Sequence, residues 1–279
     1  MNLIHRRERA RERLPQAVAM LSECRYCRHE CGVSRSTGQR GPCGAGTQTR
    51  FFSAQTEVSD ERLFAPVYAI AFGGCDLRCS FCITGAQSWN ARGGEIADVG
   101  SLVSKAEKAL EAGARSLMIL GGEPTVHLHT VLEMASVLPE SAPLIYKSNG
   151  HFSAWAQQWL QGIFDVFLID CKFGNDHCAE RLAGIKNYTA ILKENLRWAH
   201  RSGRLVIRHL VMPGHVGCCW TPVARWLSEE LPGVAINLRT GFWPGWQSFK
   251  HAELRGGVSA AEANAAMQIA ETHGLRLIS

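Results

Sequence analysis

From residue 66 onward the chain alternates short apolar runs with segments of helix length, and this alternation limits the possible folds more than any other feature. The strand-like runs are 67–72, 116–121, 143–147, 166–172, 205–212 and 234–239, and helix-like segments lie between them over 101–112, 128–138, 154–161, 189–202 and 221–230. Strand–helix repetition of this kind predicts an α/β fold with a parallel sheet, and six such units suit a partial (β/α)6 barrel of the TIM type. Local signals agree. Thr221-Pro222 reads as an N-cap followed by proline at the first helical position, and Ser259 with Glu262 reads as a capping box for a last helix ending near Gly274. A boundary is expected between Gly46 and Pro66, separating a basic N-terminal helix and cysteine-rich segment (1–50) from the barrel (66–279).

The loop after the first barrel strand holds Cys75, Cys79 and Cys82, separated by three and then two residues. With 11 cysteines in the chain, independent scatter would give this pattern roughly 0.02 times, so chance does not explain it. A closed zinc site needs a fourth ligand nearby, yet the next cysteine is Cys171 and the next histidines are His127 and His129. Three thiolates instead suit three irons of a four-iron four-sulfur (4Fe-4S) cluster, leaving one iron open for chemistry.

Parallel α/β folds bind ligands at the carboxyl ends of their strands. The second run passes directly into Gly121-Gly122-Glu123-Pro124, where glycines permit close approach to the backbone; a plain turn with a solvated glutamate is the alternative. Asp170 and Lys172, two residues apart, share one face of the fourth strand and need partners, either each other or a zwitterionic ligand. Ser148-Asn149-Gly150 ends the third run, and Arg208 precedes a Pro213-Gly214 turn.

Together these segments resemble the radical S-adenosylmethionine (SAM) superfamily. The resemblance implies that Cys75, Cys79 and Cys82 hold a 4Fe-4S cluster whose open iron chelates SAM. Reductive cleavage would then yield a 5′-deoxyadenosyl radical that abstracts hydrogen. It also implies that Gly121, Gly122, Glu123, Asn149, Asp170, Lys172 and Phe81 contact SAM, that Arg208 contacts SAM or substrate, and that flavodoxin or ferredoxin donates electrons. Within the superfamily the chain is most similar to the pyruvate formate-lyase activating enzyme-like group, which implies a protein substrate carrying a glycine to be made a radical. It departs from authentic activases at Ile83-Thr84-Gly85-Ala86-Gln87 and lacks their Phe-His segment near the last strand. A small metabolite or RNA as substrate, and a non-catalytic metal-binding interaction module, are the alternatives.

Cys24, Cys27, Cys31 and Cys43 are too closely spaced in a polar stretch for core residues. They suit a closed second metal site, iron-sulfur or zinc, with free thiols as the remaining reading and His29 able to replace one ligand. Cys171 reads as core packing. Cys178, Cys218 and Cys219 follow strands four and five, where a thiol can donate hydrogen to a product radical or help bind another metal; Cys218 and Cys219, beside His215, are candidate catalytic thiols, with inert buried thiols as the alternative. Phe242-Trp243-Pro244-Gly245-Trp246 can either pack on the barrel or screen its mouth.

Residues 1–50 carry ten arginines and four glutamates, so the positive charge of the chain belongs to that segment. Nucleic acid is not the expected partner, no apolar stretch suits a membrane span, and the cytoplasm is the expected location. An odd cysteine count in a chain this large points to reduced, partly metal-bound thiols rather than disulfides.

Overall fold

The computed structural model describes residues 6–58 and 62–278. Residues 1–5 of the arginine-rich segment, 59–61 of the expected boundary and Ser279 lie outside the described residues. In chain order the elements are α1 (Arg6–Ala19), β1 (Arg50–Glu57), β2 (Val67–Phe72), α2 (Ala86–Trp89), β3 (Glu95–Ile96), α3 (Val99–Glu111), β4 (Ser116–Gly121), α4 (Leu128–Ala135) and β5 (Leu144–Ser148). They continue with α5 (Ala154–Leu160), β6 (Val166–Asp170), α6 (Asp176–Ala183), α7 (Tyr188–Ser202), β7 (Arg204–Leu210), α8 (Thr221–Glu230), β8 (Ala235–Arg239), α9 (Ala260–Thr272) and β9 (Arg276–Leu277).

Among the described residues nine strands form one sheet in the order β3-β1-β2-β4-β5-β6-β7-β8-β9. Pairing is parallel from β2 to β9, while β1 runs antiparallel to both β2 and β3. The parallel strands succeed one another in chain order, as in a barrel, and end on the edge strands β3 and β9 without closing.

Alternation along the strands separates two cores. Tyr68, Ile70, Leu117, Ile119, Tyr146 and Phe167 pack with helix residues such as Leu132, Leu160 and Leu196. Val67, Ala69, Met118, Ile145, Leu168 and Val206 point to the other face and form a smaller core. Two residues further along, the same face changes character: Lys147, Asp170 and Arg208 line a cleft, joined by Arg239 from the end of β8. The apolar lower layers thus make a floor, and the charged layer above it makes a site.

The structure adds β1, α2, β3, α6 and β9 to the elements expected from sequence. β1 falls inside the expected boundary region, and its half-exposed positions give no clean alternation to read. Thr221 is the first residue of α8 rather than its N-cap, because a π turn over Val216–Trp220 leads directly into the helix. The capping box of α9 is formed as read, with Ser259 Oγ accepting from Glu262 N at 3.2 Å.

The arginines of α1 have an intramolecular use. Arg6 is buried and pairs with Asp165 at 3.2 Å while donating to the carbonyls of Pro139 and Ala142. Arg7 donates to Leu138 O and Val137 O, Arg9 to Gly162 O and Arg13 to Trp159 O. These carbonyls end or follow α4 and α5, where backbone acceptors lack helical partners, so α1 fastens two loops beneath the sheet.

Candidate active site

The cleft at the carboxyl ends of the strands has a volume of about 580 Å³. Cys75, Cys79, Cys82 and Phe81 reach it from the loop after β2, and Gly121, Gly122 and Glu123 from the end of β4. Asn149 follows β5, Asp170 and Lys172 end β6, and Arg208 lies on β7. The structure therefore brings together every residue expected to contact SAM and the three expected cluster ligands. Cys218 and Cys219, the candidate catalytic thiols, do not line this cleft; they belong to a separate cluster with Cys178 and His215.

Backbone contacts hold the triplet loop against β4. Gly122 N donates to Phe72 O at 2.8 Å and Glu123 N to Gly74 O at 2.9 Å. A Cβ on Gly121 would stand 2.2 Å from Phe72 O, and one on Gly122 the same distance from Gly74 O, so the two glycines are required by this approach.

Glu123 is buried, and its carboxylate accepts from Thr125 N, Thr125 Oγ1, Ser148 Oγ at 2.9 Å and Asn149 N at 2.7 Å. The side chain thus ties the ends of β4 and β5 together instead of standing free for a ligand. Burial, with the charge of Asp76 nearby, pushes its carboxyl up to about 7.

Sequence reasoning missed Asp76. Its buried carboxylate accepts from Asn149 Nδ2 at 2.7 Å and pairs with His151 Nδ1 at 2.7 Å. Burial opposes its charge, but His151, Asn149 and His29 outweigh it and hold the carboxyl below the usual range. His29 Nε2 lies 2.8 Å from Asp76 O, so this histidine braces the triplet loop. The signal was an acidic residue inside the cysteine motif; its partners, 75 residues away at His151, are not adjacent in sequence.

On the opposite wall Lys172 Nζ and Asp170 Oδ2 form a 2.6 Å ion pair. Burial disfavours the charge of Asp170, yet Lys172, Arg208 and Lys147 overcome it and hold the carboxyl at about 2. The second oxygen, Asp170 Oδ1, is buried without a hydrogen-bond partner. A buried acceptor beside three cations, facing a cleft, fits a ligand with both an ammonium and a carboxylate.

The thiols fit a metal cluster. Burial pushes Cys75 well above the ordinary thiol range and Cys79 to about 12, with Lys172 opposing the latter shift, so a bound cation is needed to make both thiolates. Among the described residues two sets of three or more Cys, His, Asp or Glu side chains have all ligand atoms within 4.8 Å of one another: His29, Asp76 and His151, and Cys178, His215, Cys218 and Cys219. The triplet is in neither. A single ion with Zn–S bonds of about 2.3 Å would draw its sulfurs to about 3.8 Å, whereas a cubane takes each ligand at a different iron and keeps them farther apart. Cys24, Cys27, Cys31 and Cys43 likewise form no such set. Their segment braces the site: Arg28 N donates to His151 O at 3.1 Å, and Arg78 donates to Pro42 O.

Aromatic residues form the outer wall. Phe81 packs edge-on against Phe173 at 5.9 Å and at a tilt against Phe242 at 6.3 Å, and Trp246 packs on Trp89 at 5.4 Å. Trp243, between the two anchored residues, lines the cleft and is 73% exposed, so the segment both packs and flanks the mouth.

Comparison with known proteins agrees with this architecture. The Radical SAM superfamily model matches residues 70–227, more than half of the chain, and the protein belongs to that superfamily. Membership implies a 4Fe-4S cluster and SAM. An uncharacterized protein of Methanocaldococcus jannaschii is 29% identical over 277 residues, covering 94% of this chain and 78% of the relative. Among solved structures, Streptococcus suis SuiB bound to S-adenosylmethionine aligns with a TM-score of 0.57 at 12% identity, over 73% of this chain and 47% of that one. Spore photoproduct lyase complexed with dinucleoside spore photoproduct gives 0.56 at 11% identity, over 81% and 79%. At such identities the likeness is one of fold, and the chain spans about half the length of SuiB. No helix among the described residues is long and apolar enough to cross a membrane.

Proposed function

We propose that this chain uses SAM to abstract a hydrogen atom from a macromolecular substrate, a glycine Cα of a partner protein being the favoured case. One observation carries the radical SAM part of the reading. The cysteine triplet, the unpartnered Asp170 Oδ1 and the cations Lys172 and Arg208 converge on one cleft. When bound, the cluster and SAM supply one-electron chemistry that generates a hydrogen-abstracting radical. The protein's part is placement: Asp170 Oδ1 accepts from the ammonium of SAM, Lys172 and Arg208 face its carboxylate, and Phe81 with Phe242 keeps water from the reacting end.

The rim supports a large substrate. Ile83 and Trp243, 87% and 73% exposed, stand at the mouth of the cleft, where a metabolite enclosed in the barrel would leave them in water. A small flavodoxin or ferredoxin is the proposed electron donor, and the Cys24–Cys43 segment, beside the triplet loop, is proposed as a second iron-sulfur site.

The shared chemistry is tested by incubating anaerobically reconstituted protein with SAM and dithionite; 5′-deoxyadenosine is expected, and its absence from cluster-replete protein would refute the reading. A glycyl radical signal in a partner protein by electron paramagnetic resonance would identify an activase. SAM cleavage stimulated by a small metabolite or RNA, with no such signal, would move the substrate to those classes.

A further inference from the structure

We infer that Cys178, His215, Cys218 and Cys219 form a mononuclear zinc site, distinct from the catalytic cleft, that clamps the loops after β6 and β7. A tetrahedral Cys3His ion with Zn–S near 2.3 Å and Zn–N near 2.0 Å requires S···N separations of about 3.5 Å and S···S separations of about 3.8 Å. His215 Nδ1 lies 3.5 Å from Cys178 Sγ, 3.3 Å from Cys218 Sγ and 3.6 Å from Cys219 Sγ, and Cys178 Sγ lies 3.8 Å from Cys218 Sγ. All four ligand atoms fall within 4.8 Å of one another. That spacing is too tight for a cluster with one ligand on each of several irons, and it leaves no open coordination position, the mark of a structural site.

The surroundings suit coordinated thiolates. Asn175 Nδ2 donates to Cys218 O at 2.7 Å and lies 3.2 Å from Cys178 Sγ and 3.8 Å from Cys219 Sγ, so one amide braces the loop that carries the sulfurs. The other nitrogen of the histidine, Nε2, lies 3.3 Å from Arg181 Nη2 and 3.6 Å from Glu253 Oε1, and Arg181 pairs with that carboxylate. A metal-bound imidazole commonly donates its second N–H to a carboxylate, and Glu253 is the carboxylate beside Nε2.

The backbone is shaped to the same end. The π turn over Val216–Trp220 turns both Cys218 and Cys219 toward His215, and Trp220 N donates to His215 O at 3.3 Å. Gly174 admits the close crossing of the two loops, since a Cβ there would stand 2.1 Å from Cys219 O. The clamp thus fixes the segments that leave Asp170, Lys172 and Arg208 at the cleft. It needs neither SAM nor an electron donor and stands apart from the proposed reaction.

The test is metal analysis of the full-length protein, with zinc and iron measured separately, and zinc K-edge absorption on the same sample. About one zinc per chain in a shell of three sulfurs and one nitrogen, with Zn–S near 2.3 Å, is expected. Cys178→Ser with Cys218→Ser should lower zinc at least about tenfold while iron is retained, and Glu253→Gln should weaken zinc binding about 10- to 100-fold. Cys75→Ala, Cys79→Ala and Cys82→Ala together should lose the iron of the catalytic cluster and keep zinc. Zinc-free protein, iron in this coordination shell, or zinc that survives the Cys178/Cys218 change but disappears with Cys24→Ser and Cys27→Ser would each overturn the assignment. The absorption spectrum of the unmodified protein decides the matter if a variant fails to fold.

Discussion

The loop after β2 and the pair of loops after β6 and β7 present the same donor, cysteine sulfur, at two different spacings. In the first the sulfurs stand apart, face a cleft and lie among a glutamate, an aspartate and three cations. In the second they close on one histidine nitrogen at 3.3 to 3.6 Å, with an amide and a carboxylate behind them. Spacing decides the chemistry here more than ligand type does: separated thiolates can share a cluster and leave one corner reactive, while converging thiolates saturate a single ion. Cysteine count alone could not divide the two.

The largest effect should come from the separated set. Alanine at Cys75, Cys79 or Cys82 is expected to reduce 5′-deoxyadenosine formation to background; an assay showing turnover in any of the three would break the contrast between a reactive and a structural site. Next comes the polar frame around it. Glu123→Ala strands Thr125 N, Ser148 Oγ and Asn149 N in a buried setting, and a loss of about 3 kcal/mol or more is expected in urea unfolding. An equal loss from Glu133→Ala, on the exposed side of α4, would show that the frame has no special role.

The pH dependence of stability sharpens the same point. The Glu123 carboxyl keeps its proton up to about 7 in the fold against 4.5 when free. The folded chain therefore binds more protons between those values, and this contribution to stability, complete below the lower value, is lost as pH rises through the upper one. Glu123→Gln should flatten that decline in the unfolding midpoint. An unchanged slope would mean that Glu123 is not its source.

The smallest effect should fall on the converging set. Glu262 Oε1 accepts from Gly214 N at 2.6 Å while Oε2 completes the α9 capping box, so the helix start reaches the residue before His215. Ser259→Ala is expected to cost about 1 kcal/mol. Zinc content should be unchanged by it, whereas zinc loss would place the capping box within the metal site's support.

Much of this architecture was legible beforehand. The six central strands and the triplet loop were readable because periodicity and close cysteine spacing are local properties, and β2 and β4 fall at their expected positions. The edge strands were not: β3 and β9 have two residues each, too short to carry a period. Glu123 was readable as a site residue but not as a carboxylate already bonded to Thr125, Ser148 and Asn149. Asp76 needed His151 from another strand end before its role could be seen.

The order of residues by itself determined an α/β sheet of successive parallel units and the place of three cysteines on its first loop, since both depend on neighbours a few positions apart. Folding alone decided that Lys147, Asp170 and Arg208 would meet in one charged layer above an apolar floor. It also decided that Cys178 would meet His215, Cys218 and Cys219. The physical reason is common to both. Parallel strands joined by helices set residues some 40 positions apart side by side, as Asp170 and Arg208 are in the β6–β7 register, and no local pattern records which partners that register will supply.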